Sequence, residues 1–231
     1  LATSSAASDV YKRQLEVSEA MALDCPPGSA EPWLPLVDAC GDRQRFDQTY
    51  PVGSPRDVVS FLLLDRDNPN SIVSCIASAR ENARQIRDVI TTEMWEQLND
   101  LYWSVQDGEA LWQEPDQEQL RNIRRGCQLF YGTTDVTLSR DQAWLFSQLG
   151  RLIERADKTS RILDVKYFLL LPSPTEVGGV LDELQWSSLL RSAGAYQLDR
   201  QSMQQAIAPA SVARFLLLDP IFPRSVRFCL Q

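Results

Sequence analysis

The sequence predicts an all-α fold, a helical bundle of two pseudo-repeated halves, on three observations. Apolar residues recur at steps of three and four along most of the chain, with breaks at Gly, Pro and Asx/Ser clusters. Sustained strand alternation appears nowhere. A phrase is used twice, as FLLLDRDNPNS from Phe61 to Ser71 and as FLLLDPIFPRS from Phe215 to Ser225.

The first 14 residues, LATSSAASDVYKRQ, carry neither a helical stripe nor an apolar run. They are expected to be a non-native or disordered leader, 1–14, with the native start missing. A single domain is expected over 15–231, its first half running over about 15–138 and its second, truncated half over about 139–231. From Asn68 the pattern turns helical. Asn68 is placed to cap, Pro69 suits the first helical position, and Ile72, Ile76, Ala79, Ala83, Ile86 and Ile90 form the stripe. Thr91 and Thr92 offer a fresh cap or a bend before Met94, Leu98, Leu101 and Val105, with Trp95 and Tyr102 beside them.

Leu120, Ile123, Cys127 and Phe130 mark a third helix, expected to stop near Gly132. Ser139 and Gln142 have capping-box spacing and open the longest periodic segment, Arg140 to Leu171, whose stripe runs through Leu145, Leu149, Leu152, Ala156 and Leu163. This helix is expected to be central. Val180 to Arg191 and Arg200 to Ile207 read as shorter helices, and Pro209 precedes a last one carrying the second FLLLD.

The repeat extends beyond the phrase. At the offset 215 − 61 = 154, Val58/Val212, Asp65/Asp219, Pro69/Pro223, Ser71/Ser225 and Cys75/Cys229 are identical pairs. Upstream, Trp33-x-x-Leu36-Val37 with Gly41 echoes Trp186-x-x-Leu189-Leu190 with Gly194, at an offset of 186 − 33 = 153. Two copies of a helical unit are too few for a solenoid, and the second copy ends where the first begins its long helix. Loss of both terminal helices would leave an apolar groove, so self-association is expected.

Composition prunes the chemistry. With 23 basic and 31 acidic residues the net charge is −8, which disfavours unspecific attraction to nucleic acid or anionic lipid. Apolar runs such as Tyr167 to Leu171 fall far short of the ~20 residues that cross a bilayer. The absence of histidine excludes Ser-His and Cys-His nucleophile pairs and zinc sites of Cys/His type, so neither metal nor cofactor is expected. Five dispersed cysteines without a C-x-x-C read as buried thiols of a reducing compartment, which predicts a cytoplasmic protein.

Two stretches hold the candidate site residues. In the loop from Asp65 to Ser71, the residues Asp65, Arg66, Asn68, Asn70 and Ser71 cap helices or present backbone N–H groups to a carboxylate or phosphate. Capping is the favoured reading. In the second copy Arg66, Asp67 and Asn68 become Pro220, Ile221 and Phe222, so any chemistry of the loop belongs to the first copy. The other stretch is Leu149 to Lys158, LGRLIERADK, in which Glu154/Lys158 and Asp157/Arg161 stand at i,i+4, each pair worth only ~0.3–0.5 kcal/mol on an exposed helix. Gly150 costs ~1 kcal/mol within a helix and points to close approach of another element or a ligand. Glu154 and Arg155 are the candidate catalytic pair, expected to lie at least partly buried between the two halves.

LGRLIERADKTSRILDVKYFLLLP, from Leu149 to Pro172, and the segment from Phe61 to Trp103 together resemble the bacterial alpha-E family, a helical domain named for a Glu-Arg motif. The resemblance covers about 15–231 and implies two related helical halves. It implies partnership with ATP-grasp ligases and transglutaminase-like proteins, and no established catalytic residue. Of the family's two Glu-Arg motifs only Glu154-Arg155 has a counterpart here. Function is therefore expected to be that of a non-enzymatic accessory domain working with an ATP-grasp ligase in peptide or amide-bond formation. The alternative is an enzyme using Glu154 as acid/base and Arg155 or Arg66 as an anion clamp.

Overall fold

The computed structural model describes residues 34–108, 117–168, 179–198 and 208–231, and among them it is all-α, with no strand. In chain order the helices are α1 (Leu34–Cys40), α2 (Arg43–Thr49), α3 (Pro55–Leu63), α4 (Ile72–Gln85) and α5 (Thr92–Gly108). Then come α6 (Gln117–Thr137), α7 (Gln142–Phe168), α8 (Val180–Ser192), α9 (Pro209–Leu218) and α10 (Val226–Leu230). They form two compact units, one spanning Ser54–Glu154 and the other the described residues up to Gly53 with Arg155–Gln231. The expected helix at Arg200 to Ile207 and the end of α7 at Leu169 to Leu171 lie outside the described residues, as do Trp33 and Cys25.

In the first unit α5 packs against α4 and α6. The stripe residues Ala79, Ala83, Met94, Leu98 and Phe130 join Ile90 and Leu138 in one buried cluster, flanked by the partly buried Trp95 and Trp144. Each large apolar side chain buried in this way contributes ~1.5–3 kcal/mol. Trp95 and Tyr102 have a second partner in Arg80, whose guanidinium lies 5.5 Å and 4.7 Å from their ring centroids and donates to Asn99 Oδ1 at 2.6 Å. Gly126 of α6 lets Leu101 of α5 pack against it, because a Cβ there would stand 2.7 Å from Leu101 Cδ1.

Four sequence expectations need correction. The cap of α4 is Ser71, whose Oγ accepts from Ser74 N at 3.1 Å, while Asn68 lies buried one turn earlier. The third helix runs through Gly132 to Thr137, since burial of Phe130 and Thr134 outweighs the ~1 kcal/mol that an interior glycine costs. The start of α7 is capped by Asp141, whose Oδ1 accepts from Ala143 N at 2.9 Å and Trp144 N at 3.3 Å, in place of Ser139. Leu145 and Leu149, expected in the core stripe, are 58% and 52% exposed, so the buried arc of α7 begins further on, at Ala156. Thr91 does cap as expected, its Oγ1 accepting from Met94 N at 3.3 Å.

In the second unit α1 packs on α2, α8 on α9, and α9 on α10. Helices α1 and α8 each bury the residue pair that the sequence matched, Leu36-Val37 and Leu189-Leu190. Each is followed by a glycine in the left-handed region, Gly41 at φ 77° and Gly194 at φ 64°, a conformation costly for any side chain. The Lys166 ammonium of α7 is buried against Asp182 Oδ1 at 2.8 Å and Gln185 Oε1 at 2.7 Å on α8, with the Trp186 ring 5.2 Å away.

Candidate functional site

The Glu-Arg pair sits within α7, where Glu154 and Arg155 are both half-buried. Arg155 Nη1 donates to the carbonyl of Pro223 at 3.1 Å. One helical turn later, Thr159 Oγ1 donates to the carbonyl of Arg224 at 2.8 Å. The spacing i,i+4 puts the two side chains on one face of the helix, so they reach consecutive carbonyls of a single turn. That turn ends in Ser225, whose Oγ accepts from Phe228 N at 3.0 Å and caps α10. The same Pro223 carbonyl receives the Cys229 Sγ at 3.7 Å. Burial pushes the Cys229 thiol up from its ordinary 9.0, while the charges of Arg155 and Arg224 oppose the rise.

The turn held by Arg155 is the second FLLLD turn, and its hydrogen bonds match those of the first. Asp219 Oδ1 accepts from Ile221 N and Phe222 N, as Asp65 Oδ1 accepts from Asp67 N and Asn68 N. Ser225 caps α10 as Ser71 caps α4, and Cys75 Sγ reaches the Pro69 carbonyl at 3.6 Å as Cys229 reaches Pro223. Helices α3 and α9 both begin with proline, at Pro55 and Pro209, which also stand 209 − 55 = 154 apart.

The loop candidates are thus placed as follows. Asp65 spends its carboxylate on the turn. Asn68 is fully buried, with Nδ2 donating to the Phe61 carbonyl at 2.9 Å and Oδ1 accepting from Asn70 N at 2.9 Å. Ser71 is fully buried at the cap. Arg66 is exposed and donates to Gln106 Oε1. The structure brings Asp65, Asn68 and Ser71 together in one hydrogen-bonded turn, with side-chain oxygens facing backbone donors.

A cavity in the first unit involves other residues. Gly150 lines it, one turn before Glu154, together with Met94, Phe130 and Phe146. Glu154, Asp65 and Arg66 are not among its lining residues. Among the described residues no cluster of three or more Cys, Asp or Glu side chains is arranged to hold a metal ion, and no helix is long and apolar enough to cross a membrane.

Sequence reasoning missed Thr159 and the pair Lys166/Asp182. For Thr159 a signal existed, since it stands four residues after Arg155 on the same helical face. For Lys166 and Asp182, 16 residues apart across a helix break, no spacing rule identifies a partner.

The family model of Alpha-E, described as a predicted alpha-helical domain with a conserved ER motif, matches residues 8–231. The dipeptide occurs once in this sequence, as Glu154-Arg155. Neither a curated protein nor a solved structure matches the chain.

Proposed function

Because the chain belongs to the Alpha-E family, whose mark is a Glu-Arg motif, we propose that it is a non-enzymatic accessory domain working with an ATP-grasp ligase in peptide or amide-bond formation. The observation that carries this reading is the hydrogen bond from Arg155 to the Pro223 carbonyl. A guanidinium that braces a backbone turn serves as scaffold, and one of its five donors is thereby spent. A surface for the partner is available on α7, where Leu145, Phe146, Leu149 and Ile153 are all more than half exposed. Exposed apolar residues at this helical spacing are the usual footing of a protein–protein contact. The burial of Cys40, Cys75, Cys127 and Cys229 supports placement in the cytoplasm.

The test is sedimentation velocity of the chain titrated with an ATP-grasp ligase from the same source, alongside the ligase's rate of ADP release. A complex in the micromolar range that Leu149→Ser with Ile153→Ser abolishes is the expected result. Absence of any complex, with ADP release unchanged by the chain, overturns the reading. The alternative enzyme, using Glu154 as acid/base and Arg155 or Arg66 as anion clamp, would require amide formation that Glu154→Gln removes while the complex persists.

A further inference from the structure

The cavity beside Gly150 has a volume of 510 Å³. That lies within the ~300–1,000 Å³ typical of small-molecule sites. Its floor includes Met94 and Phe130, each 3% exposed, and its mouth is flanked by Ile86, Val89 and Phe146, which are 40%, 44% and 72% exposed. The polar side chains on its wall are Asn82, Gln85 and Ser147, all uncharged. A charged ligand would surrender hydration here without a counter-charge among these residues, whereas an apolar body would displace water from apolar walls. Gly150 supplies an independent pointer. It is an unfavourable residue in the interior of α7, and its backbone forms part of the wall, where a side chain would add bulk.

We propose that this cavity binds an uncharged, predominantly apolar small molecule carrying one hydrogen-bonding group. Its apolar body lies against Met94 and Phe130, and its polar group meets Asn82, Gln85 or Ser147. The burial of Met94 and Phe130 favours a small molecule over a docked helix. A helix laid across the mouth would meet Phe146 and Ile86 while leaving the buried floor unfilled.

The experiment titrates the full chain with N-phenylnaphthylamine, an uncharged aromatic probe with a single N–H, and follows its fluorescence. One saturable site with blue-shifted emission is expected. Ser147→Leu and Gly150→Leu, which fill the cavity, should each weaken binding by at least about tenfold. Ile86→Ser, at the exposed mouth, should weaken it several-fold and serves as the second variant if a filled cavity unfolds the chain. Leu145→Ser and Leu149→Ser, on the exposed face and not among the lining residues, should stay within about twofold of the parent. Thermal melts establish that each variant is folded. No saturable binding by the parent overturns the proposal. So does loss of binding in the Leu145 and Leu149 variants with the folded Ser147 and Gly150 variants unaffected, since the probe would then sit on the exposed face.

Discussion

Arg155 Nη1 and the Pro223 carbonyl meet at 3.1 Å, joining positions 68 residues apart, and Thr159 repeats the contact one turn along with Arg224. The Glu-Arg helix thereby braces the turn whose Ser225 caps α10. A hydrogen bond from a charged donor contributes ~1.5–3 kcal/mol, and partial exposure places Arg155 at the lower end of that range. Arg155→Met should therefore lose ~1–2 kcal/mol in urea denaturation, Thr159→Val a similar amount, and the pair less than the sum because both hold one turn. Hydrogen exchange at the Phe228 amide should accelerate in both variants. Single mutants within about 0.5 kcal/mol of the parent would show that the brace is dispensable.

Lys166 and Asp182 are 3% and 4% exposed at the side chain and 2.8 Å apart. Removing one member of such a pair strands a buried charge, so Lys166→Met should cost ~3–5 kcal/mol. Lys166→Met combined with Asp182→Leu should recover most of that loss, because the desolvated charge goes with its partner. Chemical denaturation of the two single variants and the double variant measures this. A double variant no more stable than Lys166→Met refutes the account.

The two FLLLD turns are closed by different chemistry at the same place. Asn68 corresponds to Phe222 at 222 − 68 = 154. Asn68 donates to the Phe61 carbonyl, whereas the Phe222 ring stacks on Phe215 at 4.9 Å between centroids. Asn68→Ala removes the buried side-chain hydrogen bonds to the Phe61 carbonyl and from the Asn70 N–H and should cost ~1–3 kcal/mol by thermal denaturation. Asn68→Asp should be worse, since it buries a carboxylate charge against the Phe61 carbonyl, which repels it. Equal melting temperatures for Asn68→Asp and the parent would contradict this.

Glu81 is held by Arg84 through two hydrogen bonds of 2.7 Å and 2.9 Å, and Gln85 adds a third. These bonds, that of Arg84 foremost, hold its carboxyl at about 2 against an ordinary 4.5. A carboxyl with a depressed folded pKa contributes stability above its unfolded pKa and loses that contribution as pH falls through the folded one. The Glu81 contribution should accordingly disappear between about pH 4.5 and pH 2. Carboxyl NMR should show Glu81 titrating near the lower limit, and Arg84→Met should return it toward the upper. Titration of Glu81 near its ordinary value in the parent would contradict the contact.

Much of this molecule is local and was therefore legible. The helical class, the stripes from Ile72 to Ala83 and from Met94 to Val105 and the Thr91 cap all follow from periodicity and end chemistry within a few residues. The capping reading of Asp65 and Ser71 was equally local, because the side chains bond backbone amides two or three positions on.

What tertiary structure decided is which of several equivalent choices was taken. Asn68 and Ser71 are both sound caps, and the Phe61 carbonyl, seven residues back, claimed Asn68. Helix α7 carries apolar residues around much of its circumference, so spacing alone could not say that Leu145 and Leu149 would face water while Ala156, Ile162 and Leu163 are buried. Arg155, in the sequence a candidate anion clamp, reaches the Pro223 carbonyl of a turn 68 residues away. The physical reason is that periodicity and capping depend on groups a few residues apart, whereas the partner of a buried polar group depends on which distant segment packs there, and desolvation makes that choice costly to reverse.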